Sequence, residues 1–189
     1  MSIYFCSDLH FFHKNIILYS KRPYSNVDEM NQALIKNWNQ TISPNDTIWH
    51  LGDFCYLKEN KQLYDLLNSL NGKKNMILGN HDQIIEKNKD YLLKSGMVES
   101  IQHYHEFKYN KEFFVLFHYG QRVWNHSHHG SIMLYGHSHG SLPPYGKSVD
   151  VGIDCKEITE EYRPVSIDEV INYMNKRDIK QADRHKVNM

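Results

Sequence analysis

Asn75-Met76-Ile77-Leu78-Gly79-Asn80-His81-Asp82 is a short apolar run that stops at a glycine and then presents an amide, an imidazole and a carboxylate in succession. A run of this length bounded by turn residues reads as a buried strand, with the polar triplet in the loop leaving its carboxyl end. The same pattern recurs on both sides. Upstream, Ile3-Tyr4-Phe5-Cys6 leads to Asp8-Leu9-His10, and Thr47-Ile48-Trp49-His50-Leu51 leads to Gly52-Asp53. Downstream, Phe113-Phe114-Val115-Leu116-Phe117 leads to His118, and Ile132-Met133-Leu134-Tyr135 leads to Gly136-His137-Ser138-His139. Strands of an α/β sheet open their carboxyl ends onto one crevice. Asp8, His10, Asp53, Asn80, His118, His137 and His139 are therefore expected to meet there.

The segments between the runs support an α/β fold. Ser25-Asn26-Val27-Asp28 resembles a helix start with Asp28 and Glu29 in the first turn, and Met30, Leu34, Trp38 and Ile42 follow as one apolar stripe. Leu63, Leu66, Leu67 and Leu70 form a second stripe closed by Asn71-Gly72. The first half thus reads β, α, β, α, β with parallel strands. The second half reads as strands over 97–101, 103–109, 112–117, 131–135 and 149–153, with Asn110-Lys111 as a hairpin turn. Ser166 and Glu169 predict a capping box for a last helix carrying Val170, Ile171, Tyr173 and Met174. The expectation is one domain over residues 1–176 and a fraying polar tail over 177–189.

Lys plus Arg and Asp plus Glu stand at 22 each, for a formal net charge of zero. That balance argues against a long nucleic-acid footprint, which needs many cationic contacts to phosphates. Cys6, Cys55 and Cys155 form no Cys-x-x-Cys pair, and the N-terminus runs directly into Ile3-Tyr4-Phe5, so a reducing, cytoplasmic setting is expected. No apolar run approaches the roughly 20 residues that span a bilayer. Histidine is abundant, at 13. The five in the motifs leave His13, His50, His103, His105, His126, His128, His129 and His185, of which His50, His103, His105 and His185 read as ordinary surface or core residues.

Asp, His and Asn together make an oxygen and nitrogen set suited to first-row divalent ions, with manganese expected and iron, zinc or nickel also accommodated. His137 and His139 are two apart, as are Asp8 and His10, and Asp53 could bridge two ions about 3.5–4 Å apart. Such a pair lowers the pKa of a bound water and clamps the oxygens of an in-line displacement at phosphorus. His81 is the candidate to stabilise charge or protonate the leaving group, and Asp82 the candidate to orient it. Asp-x-His and Gly-Asp each occur by chance in many chains; the ordered combination carries the reading.

On these motifs, from residue 3 to about 155, the chain resembles members of the calcineurin-like metallophosphoesterase superfamily. The resemblance implies a four-layer α/β/β/α sandwich of two mixed sheets flanked by helices. It implies one metal held by Asp8, His10, Asp53 and His139, and another by Asp53, Asn80, His118 and His137. It also implies a bridging hydroxide as nucleophile, with His81 catalytic. Gly52-Asp53 continues as Phe54-Cys55-Tyr56 rather than Asp-Arg-Gly, which disfavours phosphoprotein substrates. The Ser-Asp-x-His start, His-Leu-Gly-Asp-Phe and Gly-His-Ser-His-Gly look like the small phosphoesterases of bacteria and phages, although Gly120 stands where proline is common.

Around this set, Arg22 is a candidate phosphate contact, and Arg122, Trp124 and His126 are candidates to line the mouth, Trp124 by stacking on a base. The rival readings are a solvated basic turn for Arg22 and an aromatic plug beneath a loop for Trp124. The expected function is metal-dependent hydrolysis of a small phosphodiester or phosphomonoester, such as a nucleotide. The alternatives are a nuclease acting on nucleic-acid ends and a metal-binding interaction module without turnover.

Overall fold

A computed structural model describes residues 1–180 and 182. Alternation along the strands builds two sheets and the layers between them. In β1 (Ile3–Cys6), Tyr4 and Cys6 face one apolar cluster and Ile3 and Phe5 another. In β2 (Thr47–His50), Ile48 and Trp49 divide in the same way, as do Met76 and Ile77 in β3 (Lys73–Ile77). Burial on both faces is why these strands read as near-continuous apolar runs. They pair in parallel, β4 (Ser100–Gln102) adds to β3, and β9 (Val165–Ser166) closes the other edge antiparallel to β1, giving the order β4-β3-β2-β1-β9.

The second sheet runs β5 (Tyr104–Tyr109), β6 (Glu112–Phe117), β7 (Ile132–Tyr135) and β8 (Ser148–Asp150), with only β5 and β6 antiparallel. Asn110 adopts φ 54° in the tight turn between Tyr109 and Glu112, a conformation asparagine tolerates. Phe114, Leu116, Ile132, Leu134 and Val149 pack against Phe5, Trp49 and Ile77 of the first sheet, and the Phe5 and Phe114 rings lie 6.0 Å apart. This shared layer is the sandwich core.

Helices cover the other face of the first sheet. α2 (Val27–Thr41) buries Met30, Leu34 and Trp38; α3 (Asn60–Ser69) buries Leu63, Leu66 and Leu67. Asn26 caps α2, accepting from the Glu29 N–H. The short α4 (Gln83–Lys87) and α5 (Lys89–Lys94) complete that layer through Ile84, Ile85 and Leu92. A one-turn helix, α1 (Ile16–Tyr19), follows the first candidate ligand pair. α6 (Ile167–Met174) begins with the Ser166–Glu169 capping box and sends Val170 and Met174 into the inter-sheet core. The outer face of the second sheet is covered more thinly, with Val115, Met133 and Tyr135 packed on Trp124 beside a 3-10 turn, Ser127–His129.

Some expected boundaries shift. The run 149–153 leaves the sheet after Asp150, and Val98 enters the core before β4 begins. The expected tail is anchored at its start, where Arg177 donates to the carbonyls of Gly146 (2.7 Å) and Pro144 (3.0 Å). The rest of that tail, with His185, lies outside the described residues apart from position 182 and those up to 180. No helix among the described residues is long and apolar enough to cross a membrane.

Candidate metal centre

Asp8, His10, Asp53, His137 and His139 all occupy the left-handed backbone region, with φ of 57, 50, 59, 66 and 47°. Such conformations cost about 1–3 kcal/mol for residues with a side chain and persist only where the surroundings enforce them. Here hydrogen bonds between strand-end loops enforce them. Asp8 N–H donates to Gly52 O and His10 N–H to Asp53 O, both at 3.0 Å, so the loops after β1 and β2 run side by side. The Asp8 carboxylate accepts from His137 N–H at 2.9 Å, and Asp53 Oδ1 accepts from His81 N–H at 2.8 Å. Two glycines permit the approach: a Cβ on Gly79 would overlap Asp53 Oδ1, and one on Gly136 would overlap Ser7 Oγ.

The side chains so placed form two groups, Asp8, His10 and His139 in one and Asp53, His118 and His137 in the other, each with donor atoms within 4.8 Å. Asp53 Oδ2 lies 3.6 Å from both His10 Nε2 and His118 Nε2, facing one imidazole of each group. Asp8 Oδ1 lies 4.0 Å from His10 Nε2 and from His139 Nε2. These separations are too long for hydrogen bonds yet no longer than two metal–ligand bonds of about 2.0–2.2 Å laid end to end. Both ring nitrogens of His10, although buried, have no hydrogen-bond partner. Asn80 Oδ1, 3.2 Å from His118 Nε2, extends the second group. An orphaned imidazole, carboxylates at bonding span and a mixed oxygen and nitrogen donor set fit two divalent ions.

Burial and neighbouring charges shift the ionisation of these groups. Burial raises the Asp8 carboxyl to about 7 and lowers the His10 imidazole to about 3. Burial also opposes charge on Asp53, but His118 outweighs it and holds that carboxyl far below its ordinary range. Burial likewise works against a charged His118, and Asp53 reverses the balance.

The domain model described as the calcineurin-like phosphoesterase superfamily domain matches residues 1–149. This chain belongs to that superfamily. An uncharacterised protein of Methanocaldococcus jannaschii is 35% identical to this phosphoesterase-family chain over 183 residues, covering 92% of each. The gene 66 protein of Mycobacterium phage L5 is 34% identical over 89 residues, covering 46% of this chain and 42% of its own. Among solved structures, a protein of unknown function from Aquifex aeolicus superposes with a TM-score of 0.67 at 21% identity, covering 90% of this chain and 98% of that one. A novel archaeal phosphodiesterase superposes with a TM-score of 0.50 at 19% identity, covering 80% and 82%. At such identities the superpositions show a shared fold, and the family as a whole is one of metal-dependent phosphoesterases.

Within the family framework the remaining candidates separate. His81 lines the cleft with its ring 5.4 Å from His10. Asp82 does not orient it. Its buried carboxylate accepts from the N–H groups of Asp53, Phe54 and Gly79, each at 2.8 Å, and so ties the loops after β2 and β3 together. Arg22 is neither a phosphate contact nor a solvated turn. Its buried guanidinium donates from Nε and Nη2 to Asp154 at 2.9 and 2.8 Å, and also to the carbonyls of Asp8 and Leu9. Trp124 is the plug rather than the stacking platform, buried with Nε1 donating to Ser131 O. Arg122 lies 4.1 Å over the Tyr145 ring, and His126 packs edge-on against Phe113; neither lines the metal cleft. At Gly120 a Cβ would come within 2.7 Å of the Leu142 side chain and 3.2 Å of the Tyr135 ring, so a larger residue there requires those side chains to shift.

Three further positions at the cleft or behind its loops lie outside the motif reading. Asp154 accepts from His139 Nδ1 at 2.7 Å, the arrangement by which a carboxylate orients a metal-binding imidazole. Asp150 Oδ2 accepts from Ser138 Oγ at 2.7 Å and Gly140 N–H at 2.9 Å, holding the loop that carries His137 and His139. Asp154 directly follows the apolar run 149–153, so the strand-end rule could have flagged it, whereas Asp150 is the last residue of β8 and lies inside that run. His13, with Nδ1 buried and unpartnered, stacks on Tyr56 at 4.7 Å and forms part of the cleft wall. The cysteines are buried and free, and burial pushes the Cys55 thiol up to about 12, away from nucleophilic use.

Proposed function

We propose that this chain hydrolyses a small phosphate ester, with two divalent ions held at the strand ends. The observation that carries the reading is Asp53 Oδ2, placed 3.6 Å from an imidazole of each ligand group, where one carboxylate could serve both ions. Asp8, His10, Asp53 and His139 would hold one ion; Asp53, Asn80, His118 and His137 the other. Manganese suits this set, as do iron, zinc and nickel. Ions bound in this way supply a water of lowered pKa and neutralise phosphate charge.

The rest of the chemistry falls to the chain. The backbone N–H of His81 donates to Asp53 Oδ1, and its ring lines the cleft. From there it can hydrogen-bond a phosphate oxygen and pass a proton to the leaving oxygen. The water oxygen bonds to phosphorus, the P–O bond to the leaving group breaks, and the leaving oxygen takes the His81 proton. One proton of the water restores His81 by way of solvent, and the other stays on the product phosphate or passes to solvent. The cleft, about 960 Å³, carries Tyr19, Tyr56 and Leu142 on its rim, apolar surface that favours an ester with an aromatic part such as a nucleotide. The neutral chain favours a small substrate over extended nucleic acid, and three free cysteines favour a reducing cytoplasm.

The test is hydrolysis of a chromogenic phosphodiester and its monoester counterpart by metal-stripped protein, with manganese, nickel, zinc or magnesium restored. Asp53→Asn and His81→Ala serve as comparisons. Metal-dependent turnover lost in Asp53→Asn and cut about 100-fold or more in His81→Ala is expected. Tight metal binding without turnover of any ester would favour an interaction module instead.

A further inference from the structure

A second cavity adjoins the metal cleft. It measures about 450 Å³, within the range of ligand sites, and Tyr56 and His81 line both spaces. Its other lining includes the apolar Leu57 and Ile84 and the cations Lys58 and Lys87. Asn88 and Asn60 also border it but are engaged, Asn88 Nδ2 donating to Asn60 Oδ1 at 2.9 Å and Asn88 Oδ1 accepting from Tyr64. Among the described residues no hydrogen bond or ion pair engages the ammonium group of Lys58 or Lys87. Glu59 and Glu86 are their neighbours in sequence but do not line the cavity, and Glu86 faces His103 at 4.0 Å.

His81 stands between the two spaces, and the group that protonates a leaving oxygen must face the side on which the leaving group departs. We infer that the second cavity is the leaving-group subsite, and that the substrate is a phosphodiester whose leaving group carries a further negative charge, as the outer phosphate of a dinucleotide does. This rests on the phosphoesterase reading above. Leu57, Ile84 and the Tyr56 ring offer apolar surface to the body of the leaving group, while the two ammonium groups meet its charge. A monoester with a small, uncharged leaving group would leave the cavity unused.

The test compares two diesters, ethyl p-nitrophenyl phosphate and the same ester with a carboxylate on the nitrophenyl ring, which differ by one charge on the leaving group. For wild type and Lys58→Ala/Lys87→Ala, kcat/KM is measured for both with manganese present. The preference for the charged ester is expected to fall about tenfold in the double variant, the product of two exposed ion pairs worth about threefold each. An unchanged ratio overturns the subsite. Binding of the released carboxylated nitrophenol is followed separately by amide NMR shifts. Shifts over 57–60 and 83–88, weakened in the double variant, support the subsite even if neither ester is turned over, an outcome that would count against the phosphoesterase reading alone. Shifts elsewhere or none overturn the subsite even if both esters are hydrolysed.

Discussion

Replacing Arg22 by methionine distinguishes a structural guanidinium from one that contacts substrate. The side chain is fully buried and that of Asp154 is 4% exposed, and the two make a bidentate pair at 2.9 and 2.8 Å. Two further donations cap the carbonyls of Asp8 (2.6 Å) and Leu9 (2.8 Å). Methionine approximates the length of the stem but leaves Asp154 as a buried carboxylate with His139 as its remaining side-chain partner. Breaking a buried pair from one side costs about 3–5 kcal/mol. For a chain of this size, at about 2–4 °C per kcal/mol, the thermal midpoint should fall by about 6–20 °C. Urea and thermal unfolding of metal-free Arg22→Met, Asp154→Leu and the double variant measure it. The double variant buries no lone charge, so it should be more stable than the sum of the single losses by at least about 1 kcal/mol. Because Asp154 also holds His139 Nδ1, metal affinity in Arg22→Met should fall about tenfold. Stability within about 0.5 kcal/mol of wild type, together with a raised KM, would refute the structural role and return Arg22 to the substrate.

Other consequences can be measured in the same way. His10→Leu should raise metal-free stability by about 1 kcal/mol, because a buried imidazole without partners is removed, yet it should shrink the manganese-induced rise in melting temperature; a less stable metal-free variant would contradict this. Gly79→Ala should push Asp53 aside and lower metal affinity at least about tenfold in calorimetry with the far-UV CD spectrum retained. In the folded chain burial opposes ionisation of Glu169, but Arg163 and Ser166 prevail and lower its carboxyl from 4.5 to about 2. A depressed carboxyl stabilises above its ordinary pKa, and that stabilisation is lost as pH falls from about 4.5 through 2. With the side chain 35% exposed the contribution is under about 1 kcal/mol, and Glu169→Gln should flatten that part of the stability–pH curve.

The elements that could be read from the chain are those whose side chains repeat. Met30, Leu34 and Trp38 mark one face of α2, and the two-sided burial of β1, β2, β6 and β7 leaves continuous apolar runs. β9, α1, α4 and α5 are not legible in the chain, because two to six residues hold no readable period and the contacts that stabilise them come from other parts of the fold. The 149–153 run ended early for a related reason. Asp150 Oδ1 accepts from Gly152 N–H at 2.7 Å, a local turn that hydrophobicity does not announce.

The residue types and their order at the strand ends were determined by the sequence alone, because parallel strands deliver their carboxyl ends to one edge of a sheet; packing of the two sheets then sets Asp8, His10, Asp53 and Asn80 of the first against His118, His137 and His139 of the second. That is why Asp8, His10, Asp53, Asn80, His118, His137 and His139 could be named together. Which side chains turn into the cleft was decided only by the tertiary structure. Arg22 and Asp82 carry the chemistry of substrate and proton-relay groups, but partners distant in sequence, Asp154 for the first and the backbone of Asp53 and Phe54 for the second, draw them inward. A buried charge goes where its counter-charge or donors are, and those positions exist only once the loops have packed.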